Sequence, residues 1–312
     1  MIATITLNPS LDEWLTLPRF ALGALNRSTQ FARYPGGKGI NVSRVLHELG
    51  EPTVAFGLAG GADGLILRHL MRRLGVAHAF IEIAGSTRNN YKILTQHPRA
   101  LTEVNTAGPR VSALALRRLM RRVWAHRPRP ACLALSGALP PGLPASTYAQ
   151  LIREARRRRL PCVLDASGPA LRQGLSAAPL MVKPNRSEAE RALGRTIRTV
   201  PAAVRAARAL LKLGPQAVIL SLGSSGAVMA TRASPAIWHA AAPAVRVRSA
   251  VGAGDSLVAG WLAGWRRGRS PTDALRLAVA CGTASVMTPG TELCRRADVA
   301  RLFSRVRVRT VR

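Results

Sequence analysis

Short apolar strands alternate with amphipathic helices along most of this chain, and this alternation limits the possible folds more than any other feature of the sequence. Residues 2–7 form a β-branched, apolar run, whereas the apolar residues of 257–265 recur at helical spacing. Repeated strand–helix units predict a parallel, doubly wound sheet. We therefore expect an α/β fold.

The predicted units follow one another closely. Residues 53–83 are expected to form a strand, a glycine turn, a helix at about 65–74 and a second strand. Further along we predict helices at about 112–125, 145–159, 187–193 and 200–213, and strands at 132–135, 162–164, 180–182, 217–220 and 245–251.

Two regions depart from this rhythm and predict a second, smaller sheet. Residues 14–34 contain short alternating segments without helical period, and residues 87–94 and 101–105 resemble a hairpin that could extend the same sheet. A chain of 312 residues with 47% hydrophobic content is long enough to bury a large core. We expect one domain with this sheet as an appendage.

The composition argues against several classes of protein. The chain has no membrane-length apolar run and no basic start followed by an apolar segment, so neither a membrane partner nor a secretory signal is expected. The four cysteines are scattered and form no C-x-x-C pair, which argues against a disulfide framework and a zinc site. We expect a cytoplasmic protein.

The formal net charge of +31 suggests nucleic-acid binding, but its distribution does not. Arginines are spread over the predicted helix faces, and aromatic residues make up only 4% of the chain, so no base-stacking platform is apparent. We expect no nucleic-acid partner. Lysine is rare and therefore informative: the only lysines are Lys38, Lys92, Lys183 and Lys212.

The segment 251–256, Val-Gly-Ala-Gly-Asp-Ser, is where we expect the chemistry. Its glycines stand before a predicted helix, where unpaired amides and the helix dipole attract phosphate. Glycine also permits the close approach of a phosphoryl group. Asp255 would then be a base beside an anion site, although a structural turn capped by an aspartate has the same pattern.

Polar residues also follow several other predicted strands. Because ligands collect at the carboxyl ends of strands in open α/β sheets, we expect these residues to converge on one site. The residues are Asp12 after the first strand, then Ser136, Asp165, Lys183 and Ser221. A glycine-rich loop at 35–39 opens another helix, and because it lacks the Walker spacing we do not predict a nucleotide site there.

Together these segments resemble the PfkB-type sugar kinases of the ribokinase superfamily, and most closely its bacterial 1-phosphofructokinases. The matching segments are 6–12, 35–42, 87–90, 136–142, 183–188, 221–227 and 251–256. The resemblance implies a single kinase domain over 1–312 with a Rossmann-like, doubly wound, mostly parallel sheet and a small β-sheet lid formed by about 12–35 and 86–107. It also implies phosphoryl transfer from magnesium-ATP, and a homodimer through the lids.

The resemblance also assigns roles to individual residues. Asp255 matches the base, and the amides of Gly252, Ala253 and Gly254 match the anion hole. The sugar-binding side is matched by Asp12, Gly37, Lys38, Asn41, Arg88 and Ser136. The nucleotide and its magnesium are matched by Lys183, Asn185, Ser221, Gly223 and Gly226, with Glu188 holding magnesium through water.

Two cations on the sugar side suggest that the acceptor already carries a phosphate. A kinase for a neutral sugar would have no reason to desolvate Lys38 and Arg88. Fructose 1-phosphate is the expected substrate, because segments 25–28 and 34–44 resemble that subgroup closely. Tagatose 6-phosphate and fructose 6-phosphate stay open as alternatives, as do a basic nucleic-acid-binding protein and an inactive sugar-phosphate-binding protein.

Overall fold

The computed structural model describes residues 1–311. Its strands are β1 Ile2–Thr6, β2 Ser10–Leu17, β3 Gln30–Gly36, β4 Thr53–Ala59, β5 His78–Glu82, β6 Arg88–Gln96, β7 Arg99–Asn105, β8 Cys132–Ser136, β9 Cys162–Asp165, β10 Met181–Val182, β11 Ala217–Ser221, β12 Ala227–Thr231, β13 Ser234–Ala241 and β14 Arg307–Val311.

The helices of residues 1–311 connect and cover these strands. They are α1 Lys38–Glu48, α2 Gly61–Arg73, α3 Ala113–Ala125, α4 Thr147–Arg157, α5 Gly168–Ser176, α6 Arg186–Leu193, α7 Val200–Lys212, α8 Ala253–Arg266, α9 Pro271–Ser285 and α10 Arg296–Phe303, with a 3₁₀ turn at Gly223–Ser225. None of them is both long and apolar enough to cross a membrane.

The larger sheet has ten strands in the order β14-β13-β12-β11-β10-β9-β8-β1-β4-β5. The pairs from β11 to β5 are parallel, whereas β11, β12, β13 and β14 pair antiparallel at one edge. The expected mostly parallel, doubly wound sheet is confirmed. The antiparallel edge was not predicted, because the two-residue turn between β12 and β13, Arg232-Ala233, carries none of the usual hairpin residues.

Alternate residues of the central strands enter two different cores. On β8, Leu133 and Leu135 pack into the core beneath α3, α4 and α7, whereas Cys132 and Ala134 pack into the core beneath α1, α8 and α9. This division follows from the two-residue period of a strand. Both faces of the sheet are covered, so its carboxyl edge is left as the place for a ligand.

Side chains cap the starts of α3, α6, α7 and α9. The Thr199 hydroxyl accepts from the amide of Ala202 at the start of α7, and Asn185 and Glu188 form a reciprocal capping box on α6. Helix α8, like α1 and α2, follows a glycine N-cap, Gly252, and has no side-chain cap. Its Ala253 amide donates to Ala250 O at 3.4 Å, and the other amides of its first turn are available to another partner.

The smaller sheet has the order β3-β2-β6-β7. Its strands fall in the two regions from which the sequence predicted a second sheet. Asp12 lies inside β2, so its prediction at the carboxyl end of a core strand was wrong. The chain leaves β1 at Thr6 and begins to pair with β3 and β6 at Ser10.

Two further expectations differ from the structure. The predicted strand at 245–251 is absent from residues 1–311; this segment is irregular, and its amides at Arg248 and Ser249 both donate to Val286 O rather than to a strand. Its valines alternate, but no neighbouring strand offers them a hydrogen-bond ladder. Helix α5 was missed, because its short apolar pattern lies between two closely spaced strands.

Candidate active site

A cleft of about 1550 Å³ separates the carboxyl edge of the larger sheet from the smaller sheet. The larger sheet contributes residues at or just after the ends of its parallel strands, and the smaller sheet contributes one face of β2, β6 and β7. The cleft includes Asp12, Gly37, Lys38, Asn41, Arg88, Lys183, Asn185, Glu188, Ser221, Gly223, Gly226, Gly252, Ala253, Gly254 and Asp255.

Ser136 is the one predicted site residue that does not line this cleft. It is completely buried at the end of β8, and its Oγ has no hydrogen-bond partner among the described residues. Gly137 lines the cleft in its place. A side chain at a strand end points to one of the two sheet faces, and the sequence alone did not indicate that Ser136 points inward.

Asp255 lies in the first turn of α8 and is almost completely buried. Its Oδ2 accepts a hydrogen bond of 2.8 Å from Asn41 Nδ2, which projects from α1. Burial and the nearby Asp165 carboxylate raise the pKa of Asp255 to about 7, against the opposing effects of Lys38, the Asn41 bond and Lys183. A carboxyl group with such a pKa can accept a proton near neutral pH.

The turn before Asp255 brings positive groups together. Gly252 has φ 79°, a left-handed conformation that favours glycine, and it places α8 with its amino end towards the cleft. A Cβ on Gly254 would lie only 3.3 Å from Lys183 Nζ. Lys183 Nζ also pairs with Asp165 Oδ1 at 3.3 Å, and an ammonium beside the positive end of a helix favours the approach of a further anion. The turn and Lys183 together are therefore a candidate anion site.

Asp165 lines the cleft, where the sequence led us to expect it among the converging strand ends, but the sequence assigned it no role. Its Oδ1 accepts from Lys38 Nζ at 3.1 Å and from Lys183 Nζ at 3.3 Å. Although complete burial raises the pKa of Asp165, the two lysines outweigh it and hold the pKa below its usual value. The available signal was its position directly after a predicted strand, where a polar residue was noted but not assigned a role.

Lys38 and Arg88 do not share a partner in this structure, although both line the cleft. Lys38 Nζ pairs with Asp165, and it also lies 3.8 Å from Glu188 Oε1 within the cleft. Burial lowers the pKa of Lys38, but Asp165, Asp255 and Glu188 more than compensate and raise it above its usual value. Lys38 is therefore a firmly protonated cation whose charge is already balanced.

On the smaller-sheet side, neutral groups hold Asp12. Its Oδ1 accepts from Ser10 Oγ and from Asn90 Nδ2, both at 3.1 Å. The neighbouring Gly36 is required for space, because a Cβ there would collide with the Asp12 carboxylate and with Ser10 Oγ. Asn90 is a second cleft residue to which the sequence assigned no role, since its motif departs from the usual subgroup pattern.

Arg88 has only neutral hydrogen-bond partners. Its guanidinium donates to Asn90 Oδ1 at 2.7 Å and to the backbone oxygens of Asn8 and Thr106 at 3.3 and 3.2 Å. Burial lowers the pKa of Arg88, and Asp12 opposes that shift only in part. A half-buried guanidinium without a carboxylate partner favours binding of an anionic ligand.

The other end of the cleft is formed by main chain. Asn185 and Ser221 pair through an isolated parallel β-bridge. Gly223, with φ 62°, begins the 3₁₀ turn that follows Ser221. Gly226 closes this turn, because its amide donates to Gly223 O at 2.9 Å and a Cβ at its position would collide with Ala240 O. The backbone can therefore approach a planar or phosphorylated ligand closely.

Glu188 fits a magnesium site only as a single ligand. Its Oε2 accepts from the Asn185 amide in the capping box, which leaves Oε1 towards the cleft, near Lys38. The described residues contain no group of three or more potential metal ligands. Magnesium prefers oxygen ligands, keeps several waters and is often bound by one carboxylate together with substrate phosphates. The oxygen donors of this cleft fit that arrangement.

Comparison with known proteins agrees with this geometry. The profile of the pfkB family carbohydrate kinases matches residues 6–298. The 1-phosphofructokinase of Bacillus subtilis is 35% identical over 94% of this chain and 95% of its own length. The ATP-dependent 6-phosphofructokinase isozyme 2 of Mycobacterium tuberculosis is 34% identical over 97% of this chain and 88% of its own length.

A solved structure extends the likeness to the fold. Phosphofructokinase-2 from Escherichia coli in complex with substrates and products has a TM-score of 0.91 and 30% identity, and the match covers 97% of this chain and 98% of that one. The chain therefore belongs to the pfkB family of carbohydrate kinases. It is a phosphotransferase with an alcohol group as acceptor, and its family implies the use of ATP.

Proposed function

We propose that this enzyme transfers the terminal phosphoryl group of ATP to a hydroxyl group of a ketohexose phosphate, most specifically fructose 1-phosphate, to form fructose 1,6-bisphosphate. The observation that carries this proposal is the position of Asp255: a buried carboxylate in the first turn of α8, beside the anion site formed by the turn and Lys183. A base next to a phosphate site is what phosphoryl transfer to an alcohol requires.

In this mechanism Asp255 takes the proton of the acceptor hydroxyl. The new oxygen–phosphorus bond forms as the bond between the terminal phosphorus and its bridging oxygen breaks, and the nucleoside diphosphate carries away that electron pair. The amides of Gly252, Ala253 and Gly254, together with Lys183, would stabilise the charge that develops on the transferred group. Magnesium-bound ATP supplies the phosphoryl group and part of the charge compensation.

The nucleotide is assigned to the end of the cleft that contains Asn185, Ser221, Gly223 and Gly226. This assignment is supported by the main-chain turn at 223–226 and by the Lys183 ammonium, which lines the same cleft close to Gly254. Glu188 would bind magnesium through a water molecule with Oε1, the oxygen that the capping box does not use.

The acceptor is assigned to the smaller-sheet side of the cleft. Asp12 would accept hydrogen bonds from the sugar hydroxyls, and Asn41 would donate to them. Gly37 would allow the sugar to approach the main chain. Arg88 is our candidate for the phosphate already present on the sugar, because its partners are neutral. Lys38 lies in the centre instead, where it would contact the transferred phosphoryl group as well as Asp165.

Fructose 1-phosphate is preferred over other ketohexose phosphates because the glycine loop and the preceding segment resemble the 1-phosphofructokinase subgroup. The relatives at 34–35% identity carry both names, 1-phosphofructokinase and 6-phosphofructokinase. The alternatives are therefore fructose 6-phosphate and tagatose 6-phosphate. An inactive sugar-phosphate-binding protein is disfavoured because Asp255, Lys183 and Glu188 are all present in the cleft.

The test is an assay of purified protein with magnesium-ATP against fructose 1-phosphate, fructose 6-phosphate and tagatose 6-phosphate. We expect the highest kcat/KM with fructose 1-phosphate. A higher value for either of the others would replace the substrate but keep the reaction, whereas no turnover with any acceptor would refute the proposed function. Retention on a DNA column at moderate salt would instead favour the basic nucleic-acid-binding alternative.

The same family resemblance leads us to propose a homodimer through the smaller sheet. The face of this sheet opposite the cleft exposes apolar residues, with Phe31 57% and Val104 50% exposed, next to Tyr91. An exposed apolar face of this kind is typical of an interaction surface. Phe31→Glu should convert a dimer to a monomer in analytical ultracentrifugation; a monomeric parent protein would contradict this proposal.

A further inference from the structure

A buried guanidinium lies beside the candidate active site and has no part in the mechanism above. Arg44 lies on α1, one turn after Asn41, and only 9% of it is exposed. It donates to Pro35 O at 3.3 Å, to Thr291 O at 2.8 Å and to Asn41 Oδ1 at 3.3 Å. Burying a cation among neutral acceptors is costly, so its presence calls for a functional reason.

We propose that Arg44 is a positioning residue, which holds the Asn41 amide in the one orientation that presents its NH₂ group to Asp255. Arg44 has only donors, so it can bind Asn41 only through Oδ1. With Oδ1 fixed in this way, Nδ2 is directed at Asp255 Oδ2, 2.8 Å away. A rotated amide would place Oδ1 against the carboxylate, where two acceptors repel each other.

This relay determines how well the carboxylate form of Asp255 is stabilised. A hydrogen bond to the charged form of an acid lowers its pKa, and losing that bond raises it. The other charged groups that face Asp255 are Asp165 at the end of β9, Lys38 at the start of α1 and Lys183 after β10. None of them is a direct partner of Arg44, so they stay in place when Arg44 is replaced.

The surroundings of Arg44 also contain charged and titratable groups. Asp12 on β2, Tyr34 on β3 and Glu292 in the segment after α9 all favour its cationic form, although burial lowers its pKa to about 10. Arg44 is therefore protonated at every pH at which the base titrates. A change in the ionisation of Arg44 therefore does not contribute to the titration midpoint measured for Asp255.

A second route from Arg44 to the site must be separated from the first. Arg44 also binds Thr291 O, and the segment that contains Thr291 continues to Leu293, whose side chain packs against Gly252. Loss of Arg44 could thus disturb the anion site without involving Asn41. Because these two routes pass through different residues, a double-mutant cycle distinguishes them.

The experiment measures the titration midpoint of the Asp255 carboxyl by ¹³C NMR in protein with labelled aspartate and no substrate. The signal is assigned by its disappearance in Asp255→Asn. Arg44→Met should raise the midpoint by about 0.5–1 pH unit, because the donor to the charged form is no longer held in place. Asn41→Ala should raise it by at least as much, and adding Arg44→Met to Asn41→Ala should raise it no further.

Three outcomes would overturn the proposal: an unchanged midpoint in Arg44→Met, a lowered midpoint, or a full additional shift in the double variant, which would indicate the Thr291 route. Arg68→Met is the matched control, because Arg68 also donates to a backbone oxygen, that of Phe80, but away from the cleft; its midpoint should equal that of the parent. If Arg44→Met does not fold, Arg44→Lys keeps a buried cation, and a smaller shift in the same direction is expected, because the single ammonium nitrogen cannot occupy the positions of the two guanidinium nitrogens that donate to these acceptors.

This inference deepens the proposed function, since it concerns the proposed base, but the two can fail separately. The NMR midpoint is read in resting protein and requires no turnover. A shifted midpoint in a protein that phosphorylates no sugar phosphate would refute the proposed function and leave the positioning role standing. An active enzyme whose midpoint is unchanged in Arg44→Met would support the proposed function and refute the positioning role. In an active enzyme, kcat of Arg44→Met should also recover towards the parent value above about pH 8.

Discussion

The two sides of the cleft surround their charged groups differently, apart from a Lys92–Glu103 ion pair of 3.0 Å that also lines the smaller-sheet side. On the larger-sheet side, Asp165 lies between Lys38 and Lys183, so acids and bases balance one another in a buried cluster. On the smaller-sheet side, Asp12 is held by a hydroxyl and an amide, and Arg88 by an amide and backbone oxygens.

This difference indicates how each side would receive its ligand. A balanced cluster is rigid in the resting protein, and its positive groups need no rearrangement to stabilise charge during the reaction. A cation with neutral partners gains a strong partner only when an anion binds. We therefore expect changes on the larger-sheet side to alter kcat, and changes on the smaller-sheet side to alter KM for the acceptor.

The largest effect is expected for Asp255→Asn, which preserves shape and removes the proton acceptor. Turnover should fall by about 10²–10⁴-fold, the usual contribution of general-base catalysis. The unfolding temperature at pH 8 should be equal or higher, because the substitution removes a buried charge. Asp298→Asn, in the first turn of α10, is the control and should be fully active. Turnover of Asp255→Asn within threefold of the parent would exclude Asp255 as the base.

The next effect concerns Arg88→Met, which removes the proposed partner of the sugar phosphate. KM for fructose 1-phosphate should rise by roughly 10–150-fold, the equivalent of about 1.5–3 kcal/mol for a charge-assisted bond, while KM for ATP changes little. Arg33→Met is the control on the same sheet, because Arg33 pairs with Glu13 and does not line the cleft.

Lys38→Met sharpens this contrast. Because its ammonium binds Asp165, we expect a fall in kcat that exceeds any rise in KM for the acceptor. The sequence-based expectation, in which Lys38 and Arg88 bind the same phosphate, demands similar rises in KM from both variants. Equal losses with fructose 1-phosphate and with unphosphorylated fructose would show that neither residue binds that phosphate.

The pH dependence of kcat/KM tests the environment of Asp255, because this ratio reports the free enzyme. A base must be deprotonated, and the pKa of Asp255 is raised to about 7, so kcat/KM should be constant above about pH 8 and fall on the acid side. Well below pH 7 the fall should approach roughly tenfold per pH unit. A profile that stays flat down to pH 5.5 would mean that the titrating group is not this carboxyl.

The smallest effect is expected for Glu188→Gln. Glutamine can keep the capping box of α6 but lacks the charge that attracts magnesium. We expect a several-fold higher magnesium requirement and an unchanged KM for the acceptor. Glu190→Gln lies on the same helix, where Glu190 accepts from the Ile197 amide, and it serves as the control. An identical magnesium titration in Glu188→Gln and the parent would remove Glu188 from the metal site.

Much of this site could be inferred from the sequence because its elements are local. The turn at 251–256 carries its own signal: a glycine that can adopt φ 79°, a following helix and an acid in its first turn. The strand ends that carry Lys183 and Ser221 are likewise visible as short apolar runs followed by polar residues. Parallel strands place such ends on one edge whatever the details of packing.

The sequence was less informative where neighbours in space decide the outcome. The alternating valines of 245–251 had the pattern of a strand, but a strand also needs a partner, and none lies beside them in the described chain. Ser136 had the position of a site residue, but it points into the core. Asp12 does line the cleft but was wrongly placed in the larger sheet, because pairing with β3 and β6 is a long-range property.

The sequence by itself thus determined the class of fold, the turn that we propose as the anion site and the acid that follows it, since each depends on local periodicity and glycine conformation. Only the tertiary structure decided which charges meet. Asp165 contacts two lysines from different segments, and Arg44 reaches Asp255 through Asn41. Electrostatic interactions depend on distance and burial, and neither quantity can be read from positions along the chain.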